Sequence, residues 1–224
     1  MSTPTAIPDA TPVTMPDAAD AAPLRIQPIA RREADAVLDV LCEAFAAYPV
    51  MRHTLGEPRP EPRRLRTLIH LFASGRWLRG HPILGARDVA GRLLGVAALT
   101  PPGDLPPPPA ELAALVESTW GVLGADSRQR YDELRRAWDR TSTRGAWWHL
   151  NMLGVRPSHA GRGIGERLLR AVCELAAADA GAEGVDLTTE DAANLAFYRR
   201  RGFTVFARAD VADGLQTWTL VSRT

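Results

Sequence analysis

"LNMLGVRPSHAGRGIGERLL", residues 150–169, decides how the chain is read. An apolar run ends at a proline, glycines follow at 161, 163 and 165, and a leucine-bearing helical pattern begins. That is a strand–turn–helix unit. Glycine lacks a Cβ, so the backbone at Gly161, Gly163 and Gly165 can approach a ligand closely and take unusual dihedrals. At the start of the helix four N–H groups lack partners and the macrodipole is positive. Such a turn is suited to a phosphate, and Arg162 adds a fixed positive charge. Two common phosphate loops do not fit. Counting G-x-G-x-x-G from Gly161 puts Glu166 in the place of the third glycine. The nucleoside-triphosphate loop needs Gly-Lys-Ser/Thr, and the chain has no lysine.

The surroundings alternate strands with helices. Residues 24–29 read as a strand and 34–45 as an amphipathic helix. The stretch 46–55 is broken by Pro49. Residues 62–79 read as a helix, and 81–100 as two strands about a turn at 89–91. "PPGDLPPPP" (101–109) is an irregular connection, because proline removes donors and blocks helix. Helices are expected over 110–123 and 127–140, and a long strand over 146–155. The helix after the glycine turn runs to about residue 180. A strand at 184–190, a short helix at 191–201 and two strands at 202–211 and 215–223 complete an α/β (α+β) chain.

Composition sets limits. With 224 residues, 46% of them apolar, the chain suits one domain with a substantial core. Residues 1–23 are Ala/Pro-rich with few large apolar side chains, so a disordered tail precedes a domain over 24–224. No apolar run reaches the ~18 residues of a membrane span, and no secretory leader is recognisable. A net charge of +1 gives no reason to expect nucleic acid. Cys42 and Cys173 lack metal-ligand spacing and read as reduced thiols of a cytoplasmic protein, so no metal is expected. All 27 cationic Lys/Arg side chains are arginine, which rules out a lysine base or Schiff base. Arg63, Arg64 and Arg66 read as a solvated helix face.

The quoted stretch resembles the acetyl-CoA motif of the GNAT N-acetyltransferases, matching at Val155, Pro157, Gly163 and Gly165. It departs at Ala160, where that family usually has Arg or Gln. "NLAFYRRRGFTVF" (194–206) resembles the family's Asn-x-x-x-Tyr helix and following strand. Residues 44–55, the tryptophan-bearing strand and residues 197–205 are similar to the puromycin N-acetyltransferase-like branch. The resemblance implies a GNAT fold with a mixed sheet of about 6–7 strands flanked by helices. It implies acetyl-CoA as acetyl donor, held by Leu153, Gly154 and Val155, by the loop Ala160, Gly161, Arg162, Gly163, Ile164, Gly165 and Glu166, and by Asn194. A backbone donor of the strand would stabilise the developing oxyanion, a contribution of roughly 3 kcal/mol.

The resemblance also implies that Tyr198 is the acid for the leaving thiolate; Asn194, four residues earlier, shares its helix face. Strand alternation places His149, Asn151 and Leu153 on one face and Trp148, Leu150 and Met152 on the other. His149 is one candidate base and Glu190 a second; a water chain ending on backbone needs neither. Tyr48, His53, Trp147, Trp148 and Asn151 are candidates for the acceptor pocket. The expected acceptor is a small, partly aromatic amine, a class that includes antibiotics and nucleoside-like amines, taken by a monomer or homodimer in a ternary complex. Two alternatives stay open: a CoA-binding regulatory or inactive relative, and an acetyltransferase of proteins or peptides.

Overall fold

The computed structural model describes residues 23–103, 107–212 and 214–224. The tail expected over 1–23 lies outside the described residues except for Pro23, as does the centre of the proline-rich connection at 104–106. The elements in order are β1 (Arg25–Pro28), α1 (Ala34–Phe45), α2 (Pro49–Leu55), α3 (Pro62–Leu78), β2 (Ile83–Arg87), β3 (Leu93–Thr100), α4 (Ala110–Leu123) and α5 (Ala125–Thr141). They continue with β4 (Trp147–Val155), α6 (Ile164–Ala177), β5 (Gly184–Thr189), α7 (Ala193–Arg199), β6 (Thr204–Ala212) and β7 (Leu215–Arg223).

One segment departs from the sequence expectation. Pro49 opens a helix instead of breaking one. It sits at the first helical position, where its fixed φ is already helical and its missing N–H would have had no partner. Gly56, at φ 73°, ends that helix in a left-handed cap.

Among the described residues seven strands form one sheet, in the order β1-β2-β3-β4-β5-β7-β6. Only β4 and β5 run parallel; every other neighbouring pair is antiparallel. Two apolar cores flank the sheet. Val37, Leu41, Leu68, Ile69 and Leu134, from α1, α3 and α5, pack with Val96, Ala98 and Met152 on one face. Ile164, Leu168, Leu169 and Val172 of α6 and Tyr198 of α7 pack with Ala97, Leu99, Leu150 and Leu187 on the other.

Two irregularities of β4 shape the centre. Its pairing with β5 runs only from Trp147↔Gly184 to Leu150↔Leu187, although β4 continues to Val155. From residue 151 onward the edge of β4 that faces β5 therefore has no strand partner. The second irregularity is a bulge: Met152 pairs with Ala98 and Leu150 with Leu99, so Asn151 has no opposite residue. Alternation reverses there. Leu150 and Leu153 both pack on the α6 side, while Met152 packs on the α1 side. His149, Asn151 and Leu153 thus do not share a face, and the strict two-residue alternation read from the sequence fails at this point.

Candidate active site

The glycine turn is built as its residues dictate. Gly161 (φ 75°) and Gly163 (φ 72°) are left-handed, and nothing lies within 4 Å of where a Cβ would stand on either. Gly163 caps α6 without a side-chain hydrogen bond, so the first-turn amides are not used by a capping group. Ala160, Arg162 and both glycines are exposed. Ile164 points into the α6 core, and the Glu166 carboxylate accepts from Arg201, so only the backbone of these two faces the turn. A Cβ on Gly165 would meet Val155 at 3.6 Å, which puts the turn against the end of β4.

From there the free edge of β4 leads back to a cavity of about 880 Å³. Tyr48, His149, Asn151, Leu153, Glu190, Asn194 and Tyr198 all line it. Residues distant in sequence are thereby brought together from the turn that leads into α2, from β4, from the end of β5 and from α7. The far wall is aromatic. Tyr131 packs against Trp120, Phe72 and Trp138, with ring centroids 5.1 to 6.0 Å apart.

Glu190 follows β5 and is 6% exposed. Its Oε1 accepts from Trp138 Nε1 at 2.8 Å and Thr217 Oγ1 at 2.7 Å, and its Oε2 from the Tyr48 hydroxyl at 3.1 Å. The Glu190 amide in turn donates to the Tyr48 oxygen at 3.0 Å. Burial raises the Glu190 carboxyl above the usual carboxylate range, while its three donors and the nearby His149 pull it back toward ionisation. Burial also holds Tyr198 well above the usual tyrosine range, and the Glu190 charge adds to this. Tyr198 therefore keeps its proton at neutral pH. Its hydroxyl has no hydrogen-bond partner among the described residues, on a ring held edge-on by Phe197 at 5.1 Å and Phe203 at 5.7 Å. Tyr48 is likewise raised well above its usual range by burial first and by Glu190 second. Asn194 donates to Thr189 Oγ1 at 3.2 Å.

His149 forms a second polar centre. Its Nδ1 lies 2.9 Å from Asp186 Oδ1, and the other oxygen of Asp186 accepts from Thr143. Opposite an ionised carboxylate, which can only accept, Nδ1 is the donor, and in the neutral ring of that tautomer the lone pair is on Nε2.

Several expected pocket residues lie elsewhere. His53 is 3.5 Å from Glu133, between α2 and α5. Trp147 donates to the Arg144 carbonyl at 3.0 Å and lies under the Arg223 guanidinium. Trp148 donates to Asp179 at 3.0 Å, on the α6 side. None of the three lines the cavity among the described residues. Adjacent tryptophans on a strand point to opposite faces, and each here is held by its own local partner. Gly154 lies close against a helix. A Cβ there would stand 3.0 Å from Ala44 and 3.2 Å from Leu41 and Phe45, so its missing side chain admits α1 to the sheet. Asp186, Thr143, Trp138 and Thr217 were not anticipated. Asp186 occupies an apolar-looking strand, and the other three come from segments carrying no motif.

Residues 122–205 match the family model described as the acetyltransferase (GNAT) domain. The fold is similar to a histone acetyltransferase HPA2 and related acetyltransferase from Corynebacterium glutamicum, at 22% identity and a TM-score of 0.65, over 90% of this chain and 97% of that one. It is also similar to Drosophila melanogaster polyamine N-acetyltransferase, at 17% identity and TM-score 0.59, over 90% and 100%. Arylalkylamine N-acetyltransferase 2 from Aedes aegypti matches at 15% identity and TM-score 0.57, over 88% and 97%. The matched span holds the opened strand pair, the glycine turn and the Asn194–Tyr198 helix, so the part of the chain that resembles the GNAT acetyltransferase domain is the part that builds this site.

Proposed function

We propose that the protein transfers the acetyl group of acetyl-CoA to the amine of a small molecule, by direct attack in a ternary complex. The observation that carries this reading is the unpaired edge of β4. It runs from the open glycine turn beside Val155 to a cavity that holds the His149–Asp186 pair and the Tyr198 hydroxyl. The residues fit the donor. Two left-handed glycines with open space above them, uncapped amides and Arg162 suit a pyrophosphate. Strand backbone at 153–155 suits an amide-bearing arm, with Asn194 across the gap. Acetyl-CoA supplies an acetyl group activated as a thioester.

In this reading His149 Nε2 takes the proton of the incoming ammonium or amine. Asp186 fixes the ring orientation and stabilises the imidazolium that results. Glu190 adds negative potential to the same cavity from a buried, triply hydrogen-bonded position. Tyr198, protonated at all physiological pH, gives its proton to the leaving sulfur. The aromatic wall of Trp120, Tyr131 and Trp138 suits an acceptor with an apolar or aryl part. The protein works in the cytoplasm on a small molecule, as monomer or homodimer; no helix among the described residues is long and apolar enough to cross a membrane.

The experiment is release of free CoA from acetyl-CoA against amine acceptors that include puromycin, aminoglycosides, arylalkylamines, polyamines and short peptides. Release dependent on one class of small amine supports the reading. Release with peptides only, or acetyl-CoA binding with no release for any acceptor, overturns it.

A further inference from the structure

The cavity holds a cation that has no ion-pair partner among the described residues. Arg76, in the last turn of α3, lines it. One guanidinium nitrogen donates to Thr100 Oγ1, which itself donates to Asn151 Oδ1 at 2.8 Å. The Arg76 Nε is sealed from solvent and has no hydrogen-bond partner. Among the described residues no carboxylate stands within 4 Å of this guanidinium. Asp186 is taken by His149 and Thr143, Glu190 by its three donors, and Glu117 by Arg128 at 3.5 Å. Arg79 also lines the cavity and adds positive charge. Burial lowers the pKa of Arg76 from its ordinary value, the mark of a cation held against its desolvation cost. A guanidinium in such a place is normally completed by an anion, for which its planar fork is shaped.

Its location says what kind of anion. Thr100 is the cross-strand partner of His149. Arg76 therefore hydrogen-bonds to the residue that stands directly opposite the proposed base on the neighbouring strand, and both side chains line the same cavity. We propose that Arg76 is an anion anchor and that the acceptor is an amino acid-like amine. Its carboxylate sits on Arg76 and its amine a few bonds away faces His149. The Thr100–Asn151 pair holds the guanidinium in place, and the bulge that lifts Asn151 out of the ladder makes that pair possible. This inference rests on the acceptor side of the acetyltransferase reading.

The test uses the full chain and has two arms. In the first, calorimetry compares N-acetyl-phenylalanine, N-acetyl-methionine and N-acetyl-arginine with their neutral carboxamides. The acids are expected to bind about ten- to a hundredfold tighter, the range of one charge-assisted contact. Arg76→Gln collapses that ratio to within about threefold, and Arg76→Lys, which keeps the charge without the fork, leaves an intermediate ratio. In the second arm, kcat/KM for each free amino acid is divided by that of its carboxamide, in wild type and in Arg76→Gln. The ratio of ratios cancels intrinsic amine reactivity. Equal binding of acid and carboxamide, or an Arg76→Gln change that weakens both alike, overturns the anchor. Acetyl transfer to plain amines with no acid preference removes the anchor and leaves the acetyltransferase reading standing. An acid preference in binding with no CoA release for any acceptor does the reverse.

Discussion

Replacing Asp186 by asparagine tests the proposed base at the group that orients it. The Asp186 side chain is 9% exposed, and both its oxygens are engaged, one by His149 at 2.9 Å and the other by Thr143. Asparagine offers one acceptor and one donor end, and the Thr143 hydroxyl can satisfy either. If the amide oxygen faces Nδ1, the tautomer survives and only the charge is lost. A hydrogen bond to a charged group contributes about 1.5–3 kcal/mol against about 1 for a neutral one, so the cost is roughly two- to thirtyfold in rate. His149 is 33% exposed, which screens this part further. If the amide NH2 faces Nδ1, the ring must accept there and carry its proton on Nε2. The base is then lost, a change that costs about 10⁴-fold in the serine-protease triad. The second arrangement dominates the expectation, so kcat/KM falls between ~10-fold and ~10⁴-fold while acetyl-CoA affinity holds. CoA release at saturating acetyl-CoA, with fluorescence titration of the donor, measures both. His149→Ala and the double variant complete a cycle in which the double variant is no worse than His149→Ala alone. A loss below about twofold for Asp186→Asn, or additive losses in the cycle, would refute a His149 base oriented by Asp186.

Three further outcomes are expected. Tyr198→Phe lowers turnover by about 10²-fold or more with little change in acetyl-CoA affinity; wild-type turnover in that variant removes the acid assignment. Gly154→Ala forces a Cβ to 3.0 Å from Ala44 and 3.2 Å from Leu41 and Phe45. Overpacking of this kind costs about 1–3 kcal/mol, or roughly 2–12 °C in melting temperature for a chain of this size; an unchanged melting temperature means α1 does not press on the strand there. For Glu190, burial raises the carboxyl pKa, so from the ordinary carboxylate value upward the folded chain keeps a proton that the unfolded chain has released. Folding stability therefore declines as pH rises through that window. Urea midpoints from pH 4 to 8, taken as the difference between wild type and Glu190→Gln so that the other carboxylates cancel, should show this decline as pH rises; a pH-independent difference argues against a raised Glu190.

The sequence by itself determined what is local. The glycine turn, the helix after it and the strand before it lie within twenty consecutive residues. Dihedral freedom, helix ends and periodicity act over that range, so all three were legible. The order of seven strands followed from the same short-range signals, apart from α2. There the proline was read as a breaker because the first position of a helix cannot be told from an interior one without knowing where the helix starts.

Tertiary structure decided the rest. The bulge at Asn151 depends on how β4 registers against β3, and the opening of the sheet depends on where β5 parts from β4; neither leaves a mark on one strand alone. Those two features set which side chains reach the cavity, so Trp147 and Trp148 were misplaced while Tyr48 and Glu190 met across 142 positions of sequence. The partners that give each polar group its chemistry come from segments with no motif: Asp186 for His149, Trp138 and Thr217 for Glu190, Thr100 for Arg76. Hydrogen bonds and desolvation act between atoms near in space. A residue's role in a site is therefore fixed by the fold that brings those atoms together.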